Sequence, residues 1–352
     1  MNVDQPATPP EVTIVVPARN EEACLGDCLV SLAAQTGVTF EIIVVDDHST
    51  DRTAEIARSF AGVRVISPGP LPEGWTGKNH AVVAGVREAG GEWLLFTDAD
   101  TVHRSGSLAR ALAEAKSERA DLLSYSPEQV VVTFAEKAVM PVIFAELAAQ
   151  YPPEKVREPG SGVIASNGQY ILARRTSYEA VGGHEAVAGE ILEDVALAVR
   201  FKEAGRRVFF RYGGDAVRTR MYRNWEEVRE GWTKNLALLF PRPAKRALLS
   251  GAEWIIAWLT LPLVFPALIL YLRIRRAHFS FGTSLVALAF GPPVFGYLMW
   301  RSRRAHAGGG VLWKGRTYAG AASVGAVQSL RRSDGLSRPS GTGAKSVLAS
   351  RH

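Results

Sequence analysis

Apolar strand patterns and helical patterns alternate along the first hundred residues, and this alternation limits the fold more than any other feature of the chain. Short apolar runs rich in β-branched residues predict strands, and the segments between them have apolar residues at helical spacing. Strands that alternate with helices form a parallel sheet with helices on both faces. The sequence therefore predicts a doubly wound, Rossmann-like α/β domain. The predicted strands lie in VTIVV (12–16, ended by Pro17), FEIIVV, VRVISP and EWLLF.

Three polar clusters follow the ends of these predicted strands. They are PARNEE at 17–22, DDHSTD at 46–51 and DAD at 98–100. Because the carboxyl ends of parallel strands meet at one edge of a sheet, we expect the three clusters to line one crevice. The pattern predicts a functional site at that edge.

Asp98 and Asp100 stand one residue apart at the end of an apolar run. Alternate residues of an extended chain face the same side, so the two carboxylates are expected to lie together. Like charges in this position indicate a cation between them, or chemistry that uses a carboxylate as nucleophile. The stretch LLFTDADT also resembles the first motif of haloacid dehalogenase-type phosphatases. That motif normally opens its domain, whereas three predicted strands precede it here, which favours the metal site.

The composition changes near residue 250. The chain has 352 residues and a net charge of +6, and after Gly251 it is apolar with islands of arginine. Arginine clusters that flank apolar runs are typical of a membrane surface rather than of a nucleic-acid site. We therefore expect a membrane as partner, and no nucleic acid.

Two apolar stretches, 252–272 and 280–300, are each long enough to span a bilayer. They predict a membrane hairpin of two hydrophobic helices within 249–300. Basic residues on the outer flanks favour a cytosolic N-terminal domain at the cytoplasmic membrane, whereas the basic link between the stretches fits a re-entrant hairpin, so both topologies remain open. The apolar segment 130–150 carries charges and is predicted to be amphipathic and interfacial.

Four segments resemble, in order, the motifs of family 2 glycosyltransferases of the GT-A fold: TIVVPARNEE, EIIVVDDHSTDRT, GKNHAVVAGVREAGGEWLLFTDADT and ILEDVALAVRFKEAG. The apolar C-terminal region resembles membrane-bound members that glycosylate lipids, such as ceramide, hopanoid and carotenoid-acid glycosyltransferase-like proteins. The resemblance implies a GT-A nucleotide-sugar-binding domain followed by C-terminal transmembrane helices. The expected organisation is a flexible N-terminus at 1–10, the glycosyltransferase domain at 11–240, the hairpin at 249–300 and a basic, partly disordered tail at 301–352.

The resemblance implies a donor site at the edge of the sheet. Asp98 and Asp100 would hold Mg²⁺ or Mn²⁺ against the diphosphate of a nucleotide sugar, expected to be a UDP-sugar. Asp47 would meet the uracil or ribose, and Lys78 would meet the pyrophosphate. Loop chemistry remains the alternative for the acids after the second strand, and a solvated surface position is the alternative for the lysine. The residues implied in donor binding are Pro17, Arg19, Glu21, Asp46, Asp47, Lys78 and Asp98, with Asp98 and Asp100 as metal ligands.

The resemblance also implies a base for the acceptor. A sugar-acceptor hydroxyl is a poor nucleophile, so a carboxylate must take its proton as it attacks. Asp194 matches the family's base, with Glu193 beside it, and single displacement would invert the anomeric centre. A capping role in the first turn of a helix is the alternative for either acid. The other implied substrate-binding residues are Gly168, His184, Trp232 and Lys234.

One motif departs from the family pattern. Many processive relatives carry Gln-x-x-Arg-Trp before their membrane helices, whereas VREGWTKN here keeps only Trp232, with Lys234 or Arg229 available as the missing cation. The departure favours one transfer to a lipid over long-chain polysaccharide synthesis. The sequence thus predicts a membrane-anchored inverting hexosyltransferase that acts on a lipid at the cytosolic face. The alternatives are a polysaccharide or other non-lipid acceptor, the phosphatase, and an inactive binding homologue.

Overall fold

The structure, a computed structural model, describes residues 9–313 and 316–319. Most of the expected flexible N-terminus and most of the expected disordered tail lie outside these residues. The strands are β1 Val12–Ala18, β2 Phe40–Asp46, β3 Val63–Ile66, β4 Trp93–Phe96, β5 Thr101–His103, β6 Leu122–Ser126, β7 Glu128–Gln129, β8 Ile171–Arg174, β9 Val208–Tyr212, β10 Val217–Thr219, β11 Gly310–Trp313 and β12 Arg316–Ala319.

The helices alternate with the strands in the first two thirds of the chain and follow one another without strands from residue 225 to residue 307. They are α1 Leu25–Ala33, α2 Thr53–Arg58, α3 Gly77–Arg87, α4 Ser107–Ser117, α5 Phe134–Gln150, α6 Pro153–Arg157, α7 Arg175–Ala180, α8 Glu193–Glu203, α9 Trp225–Asn235, α10 Pro243–Leu259, α11 Phe265–Arg275 and α12 Phe281–Ala307. Short 3-10 helices lie at Gly183–Val187 and Leu261–Leu263.

Within the described residues, seven strands form one sheet in the order β3-β2-β1-β4-β8-β6-β9. The first four strands of the chain pair in parallel, and β8 is antiparallel to both of its neighbours. The chain moves outward from β1 through β2 to β3 and then returns to place β4 on the other side of β1. The predicted α/β class is therefore confirmed. Ligands of open α/β sheets bind where the strand order reverses, so the crevice is expected at the ends of β1 and β4.

Alternate side chains of the central strand supply the two halves of the core. Ile14 of β1 packs with α1 on one face, and Val15 packs with α3 on the other. A strand buried on both faces is apolar at successive positions because helices cover both sides of the sheet. This explains the unbroken apolar run VTIVV.

Pro17 lies inside β1, which corrects the prediction that it ends the strand. It pairs with Val45 of β2. The carbonyl of Val15 points toward β4 and accepts a hydrogen bond from Thr97 N–H, just beyond the end of that strand. The backbone of Pro17, two residues later, points to the same side, where β4 has already ended. The missing N–H of a proline therefore removes no ladder hydrogen bond at this position.

The segment predicted to be interfacial is α5, and the structure corrects that prediction. Its two glutamates, Glu136 and Glu146, are buried and paired with arginines from other elements. A Cβ on Gly291 of α12 would lie 2.5 Å from the carbonyl oxygen of Ala138, so the backbones of the two helices approach each other closely. The sequence pattern was ambiguous because a helix buried among helices is as apolar as one that lies in lipid.

The predicted continuous helix over 252–272 is absent, and two shorter helices replace it. α10 ends at Leu259, a 3-10 helix follows, and α11 begins at Phe265 after Val264 adopts a φ of 60°. Pro262 and Pro266 lie in the first turns of the 3-10 helix and of α11, where the N–H that proline lacks would have no partner within the helix. Among the described residues, α12 is the one helix that is long and apolar enough to cross a membrane.

The fold generates a prediction at the paired glycines before β4. A Cβ on Gly91 would lie 2.5 Å from the backbone nitrogen of Thr13, whereas a Cβ on Gly90 would first meet the flexible carboxylate of Glu41 at 3.3 Å. Gly91→Ala is therefore expected to lower the free energy of unfolding by about 1–3 kcal/mol, as overpacking does. Midpoints of thermal unfolding should show the loss, with Gly90→Ala as the matched control; equal midpoints for both variants would contradict this packing.

Candidate active site

The loops after β1 and β2 are joined by reciprocal hydrogen bonds. The backbone N–H of Asn20 donates to Ser49 Oγ at 3.0 Å, and Thr50 N–H donates to Asn20 Oδ1 at 2.9 Å. Glu21 N–H donates to Thr53 Oγ1 at 2.7 Å. Polar side chains thus satisfy backbone groups that the ends of two strands leave open. The result is a fixed wall on one side of the crevice.

Arg19 and Asp47 lie together on this wall. Arg19 Nη1 donates to the carbonyl oxygen of Asp47 at 2.7 Å and lies 4.0 Å from its carboxylate. Asp46 is buried and its Oδ1 accepts from Ser49 N–H at 3.3 Å, which is the loop role that the sequence left open. Asp46 therefore shapes the turn, while Arg19 and Asp47 stand at the edge where a nucleoside is expected.

Threonines hold the backbone of the Asp-Ala-Asp segment between β4 and β5. The carbonyl of Asp98 accepts from Thr101 Oγ1 at 2.8 Å, and the carbonyl of Asp100 accepts from Thr219 Oγ1 of β10 at 3.2 Å. Thr97 Oγ1 donates to the carbonyl of Gln169 at 2.8 Å. Sequence reasoning missed these supporting residues, although threonines on both sides of the acids in TDADT were a visible signal.

Lys78 is the centre of the charged cluster. Its Nζ lies 2.7 Å from Asp98 Oδ1 and 2.8 Å from Glu193 Oε1, although Glu193 is more than a hundred residues away in sequence. Burial works against the charge of the ammonium, but the two carboxylates outweigh it and raise the pKa of Lys78 well above its usual range. The alternative of a solvated surface lysine is therefore wrong.

Lys78 is held in place by the start of its helix. It lies in the first turn of α3, where a cation opposes the helix dipole and needs a compensating partner. Thr76 caps the helix by accepting from Asn79 N–H at 3.2 Å, and the Asn79 amide donates to the carbonyls of Val187 and Ala188 at 2.8 and 3.0 Å. These bonds fix the lysine against the segment that precedes α8.

Asp194 and Glu193 are adjacent at the start of α8, but their pKa values are shifted in opposite directions. Burial and the neighbouring Glu193 raise the pKa of Asp194 to about 7. For Glu193 the effect of burial is outweighed by Lys78, and the pKa of this carboxyl is lowered. Two acids whose pKa values are driven apart are typical of an acid–base site. Glu193 stays an anion, whereas Asp194 can take up a proton near neutral pH.

Gly168 lets the loop before β8 approach both acids. Its N–H donates to Asp194 Oδ2 at 2.8 Å. A Cβ at this position would lie 2.8 Å from Lys78 Nζ and 3.1 Å from Glu193 Oε1. A side chain would displace the ion pair, so glycine is the residue that fits.

Lys234 of α9 adds a second cation on the far side of the cluster. Burial lowers the pKa of Lys234, while Glu193 acts in the opposite direction. The same interaction lowers the pKa of Glu193. The structure therefore brings Lys234 to the site, as the sequence predicted.

Two predicted binding residues are buried, and their binding roles stay predictions. His184 is 2% exposed, its Nδ1 lies 2.8 Å from the Tyr178 hydroxyl, and burial lowers its pKa to about 4. Trp232 is also 2% exposed, and its indole N–H donates to the sulfur of Met140 at 3.3 Å. One ring nitrogen of His184 and the indole N–H of Trp232 are turned to other core residues, and the charges of Glu193 and Lys78 act on the His184 ring.

Asp98 and Asp100 fit a divalent cation that is shared with a ligand. Across the described residues, no group of three or more His, Cys, Asp and Glu side chains could hold a metal ion by itself. Mg²⁺-type sites commonly use one or two carboxylates and complete the shell with substrate phosphates and water. Carboxylate oxygens at the end of β4 suit that arrangement.

The Lys78 cluster predicts a pH-dependent stability loss. Lys78→Met leaves Glu193 without its closest cation, and we expect the free energy of unfolding to fall by about 1–2 kcal/mol, less than for a fully buried pair because a third of Lys78 is exposed. Lys78 lowers the folded-state pKa of Glu193. The stabilisation that this ion pair gives to the folded protein is therefore present above the unfolded pKa of about 4.5 and is lost as the pH falls through the folded value.

Urea unfolding at several pH values measures this difference. The matched control is Lys155→Met, which removes an exposed pair with Glu158 and should change stability little. A loss that does not shrink between neutral and acidic pH would contradict the assigned ion pair.

Comparison with known proteins shows what part of this chain is similar to. The sequence model described as Glycosyl transferase family 2 matches residues 13–182. The 4,4'-diaponeurosporenoate glycosyltransferase of Staphylococcus aureus (strain USA300) is 30% identical over 234 residues, which cover 64% of this chain and 60% of the relative. The chain therefore spans less than two thirds of the curated relatives that it matches.

Solved structures are similar at lower identity. The mannosyltransferase PcManGT from Pyrobaculum calidifontis, in complex with GDP-Man and Mn²⁺, is 17% identical with a TM-score of 0.49 and covers 85% of this chain and 87% of its own. S. aureus TarS 1-349, in complex with UDP-GlcNAc, is 17% identical with a TM-score of 0.43 and covers 87% and 95%. The family 2 match covers just under half of the chain, the part that contains β1 to β4 and the Asp-Ala-Asp segment, so this part of the chain is similar to that family.

Proposed function

We propose that the chain is a membrane-anchored, inverting glycosyltransferase that moves a hexose from a nucleotide sugar, expected to be a UDP-sugar, to a lipid acceptor at the cytosolic face of the membrane. The observation that carries the proposal is the cluster of Lys78, Asp98, Glu193 and Asp194 at one edge of a family 2 domain. These residues supply a cation for a diphosphate and a base for an acceptor.

The donor end of the site is the edge formed by β1, β2 and β4. Asp98 and Asp100 would hold Mg²⁺ or Mn²⁺, which when bound offsets the charge of the diphosphate leaving group. Lys78 adds a fixed positive charge beside Asp98. Arg19 and Asp47, on the wall of the crevice, border the place for the nucleoside.

The acceptor end is the start of α8. The acceptor hydroxyl gives its proton to Asp194, and its oxygen forms a bond to the anomeric carbon of the donor sugar. The bond from that carbon to the diphosphate oxygen breaks, and the electron pair leaves with the nucleoside diphosphate. Attack opposite the leaving group inverts the anomeric centre. A carboxyl with a pKa of about 7 is suited to receive this proton at neutral pH.

Two observations support a lipid acceptor. The relative from S. aureus is named for its action on 4,4'-diaponeurosporenoate, a carotenoid acid. In this chain α10 and α11 expose large apolar side chains such as Leu259, Phe265 and Ile269 to the surroundings. An apolar surface of this kind on the same domain favours contact with lipid over a soluble acceptor.

The other interpretations have weaker support. The family 2 match argues against a haloacid dehalogenase-type phosphatase. An inactive binding homologue would have no need for a base whose pKa is tuned to neutral pH. A polysaccharide acceptor is a distinct outcome of the experiment below.

Release of nucleoside diphosphate tests the proposal. Purified protein in detergent with Mn²⁺ is expected to turn over one donor of a nucleotide-sugar panel, and only when an extracted membrane-lipid mixture is added. Asp194→Asn should lower turnover by about 10²–10⁴-fold while nucleotide binding is kept, because it removes only the base. Asp100→Asn should weaken nucleotide binding in the presence of Mn²⁺.

Asp27→Asn, at an exposed position of α1, is the matched control and should leave turnover unchanged. Full activity of Asp194→Asn would remove this residue as the base. Turnover with a soluble saccharide in place of lipid would establish the non-lipid acceptor.

The pH dependence of kcat/KM gives an independent prediction. Asp194 must be deprotonated to act, so activity should rise with pH and level off above about 7. The charged groups that act on it are Glu193, Lys78 and Lys234. Glu193→Gln removes the adjacent negative charge and should move the midpoint to lower pH; a midpoint that does not move would contradict the coupling.

A further inference from the structure

The chain that leaves along α10 comes back along α11, so the start of α10 and the end of α11 lie close together. Arg246 near the start of α10 and Arg273 near the end of α11 both bind Glu146 of α5, with Nη2–Oε1 distances of 2.7 and 2.9 Å. Arg273 also lies 2.6 Å from Glu253 of α10. Two arms that share one buried ion network at their bases form a hairpin whose tip points away from it.

The tip of this hairpin is apolar and exposed. Leu259 is 78% exposed, Leu263 65% and Phe265 73%. Its backbone is also adapted to an environment without water: Pro262 and Pro266 carry no N–H, and the N–H groups of Leu263 and Val264 donate to carbonyls of the same turn. Hydrocarbon tolerates only backbone whose polar groups are satisfied internally.

The hairpin is too short to cross a bilayer. The arm from Glu253 to the end of α10 has seven residues and the arm from the start of α11 to Arg273 has nine, so they are about 10–14 Å long. The hydrocarbon core of a bilayer is about 30 Å thick. The tip would therefore reach into one leaflet only.

The long helix α12 is attached to the glycosyltransferase domain along its whole length. Just before its start, His278 stacks on Tyr212 of β9 with ring centroids 4.0 Å apart. In its middle, Gly291 packs against α5. At its end, Ser302 Oγ accepts from Ala237 N–H at 2.9 Å, and His306 Nε2 donates to the carbonyl of Lys234 at 2.8 Å.

A helix held at both ends and in the middle by one domain lies along that domain. Its exposed apolar side chains fall at helical spacing on one side, and its polar contacts fall on the other. The exposed large apolar residues of this side are Phe281, Leu285, Phe290, Tyr297 and Trp300. This is the arrangement of an interfacial helix, with aromatic residues at headgroup level, rather than of a membrane span.

Exposed cations surround the base of the hairpin. Arg242 and Lys245 precede or begin α10, and Arg275 and Arg276 end α11. Arg242 and Lys245 line a cavity of about 340 Å³ together with Phe240 and Leu249, so charge and apolar surface adjoin there. Cations at this level complement the phosphates of an anionic leaflet.

We propose that α10–α12 form a monotopic anchor: the α10–α11 hairpin inserts its tip into one leaflet of an anionic phospholipid bilayer, α12 lies in the interface, and no described helix crosses the membrane. The inference rests on the membrane attachment in the proposed function and decides against two spans, one of the two topologies that the sequence left open. It places the start of α10, the end of α11, both ends of α12 and the link at 276–280 on the same side as the active site.

Labelling with a membrane-impermeant maleimide tests the proposal in sealed membrane vesicles of the full-length protein. The background is Cys24→Ser; the remaining Cys28 is fully buried, and burial raises its thiol pKa to about 12, so it should not react. Arg58→Cys on α2 reports the side of the catalytic domain. Arg276→Cys, in the link, should be labelled to the same extent as Arg58→Cys before detergent is added.

Two spans would instead protect Arg276→Cys until detergent is added, while Lys245→Cys is labelled together with Arg58→Cys. That result would overturn the proposal. Protein that does not stay with vesicles containing phosphatidylglycerol would overturn the anchor itself. Neither result depends on release of nucleoside diphosphate, so the glycosyltransferase proposal stands or fails separately.

The depth of the tip supplies a second measurement. An environment-sensitive fluorophore on Leu263→Cys should be quenched by lipids that carry a nitroxide on the acyl chain, whereas the same fluorophore on Arg276→Cys should be quenched mainly by headgroup nitroxides. Equal quenching profiles for the two positions would overturn insertion of the tip.

Discussion

The contacts of Lys78 with Asp98 and Glu193 organise the rest of the site. They join the first turn of α3, the segment after β4 and the start of α8, three elements that the sequence separates widely. Without the ammonium, carboxylates from different elements would be held close together and would repel each other. The close approach of Gly168 is possible only because it has no side chain to enter this contact. The geometry of the site therefore depends on one cation.

The same contact separates the roles of two neighbouring acids. Glu193 is held as an anion by Lys78, and its charge in turn raises the pKa of the buried Asp194. The raised pKa of Asp194, the proposed base, thus comes from burial and from Glu193, because the hydrogen bonds from Gly168 and Val195 act in the opposite direction. The resemblance to the family motif selects the two acids, and the charge network supports the different roles proposed for them.

The C-terminal helices are connected to this network through α9. Lys234 stands at the end of α9 beside Glu193, and its carbonyl is held by His306 of α12. Arg301 of α12 donates to Thr233 Oγ1 at 3.0 Å in the same place. A helix that lies on lipid would in this way set the distance between the membrane surface and the active site. Such a fixed distance suits an acceptor that stays partly in the bilayer.

Local patterns in the sequence were sufficient for the alternating strands and helices, the acids at the ends of β2 and β4, and the order of the family motifs, because period and turn chemistry act over a few neighbouring residues. They were insufficient for α5, for His184 and Trp232, and for the break in 252–272. An apolar residue that faces a protein core and one that faces lipid have the same composition, and only the packing of distant elements distinguishes them. The pKa of Asp194 likewise depends on burial and on Lys78. Only the tertiary structure buries this carboxyl and brings Lys78 close to it.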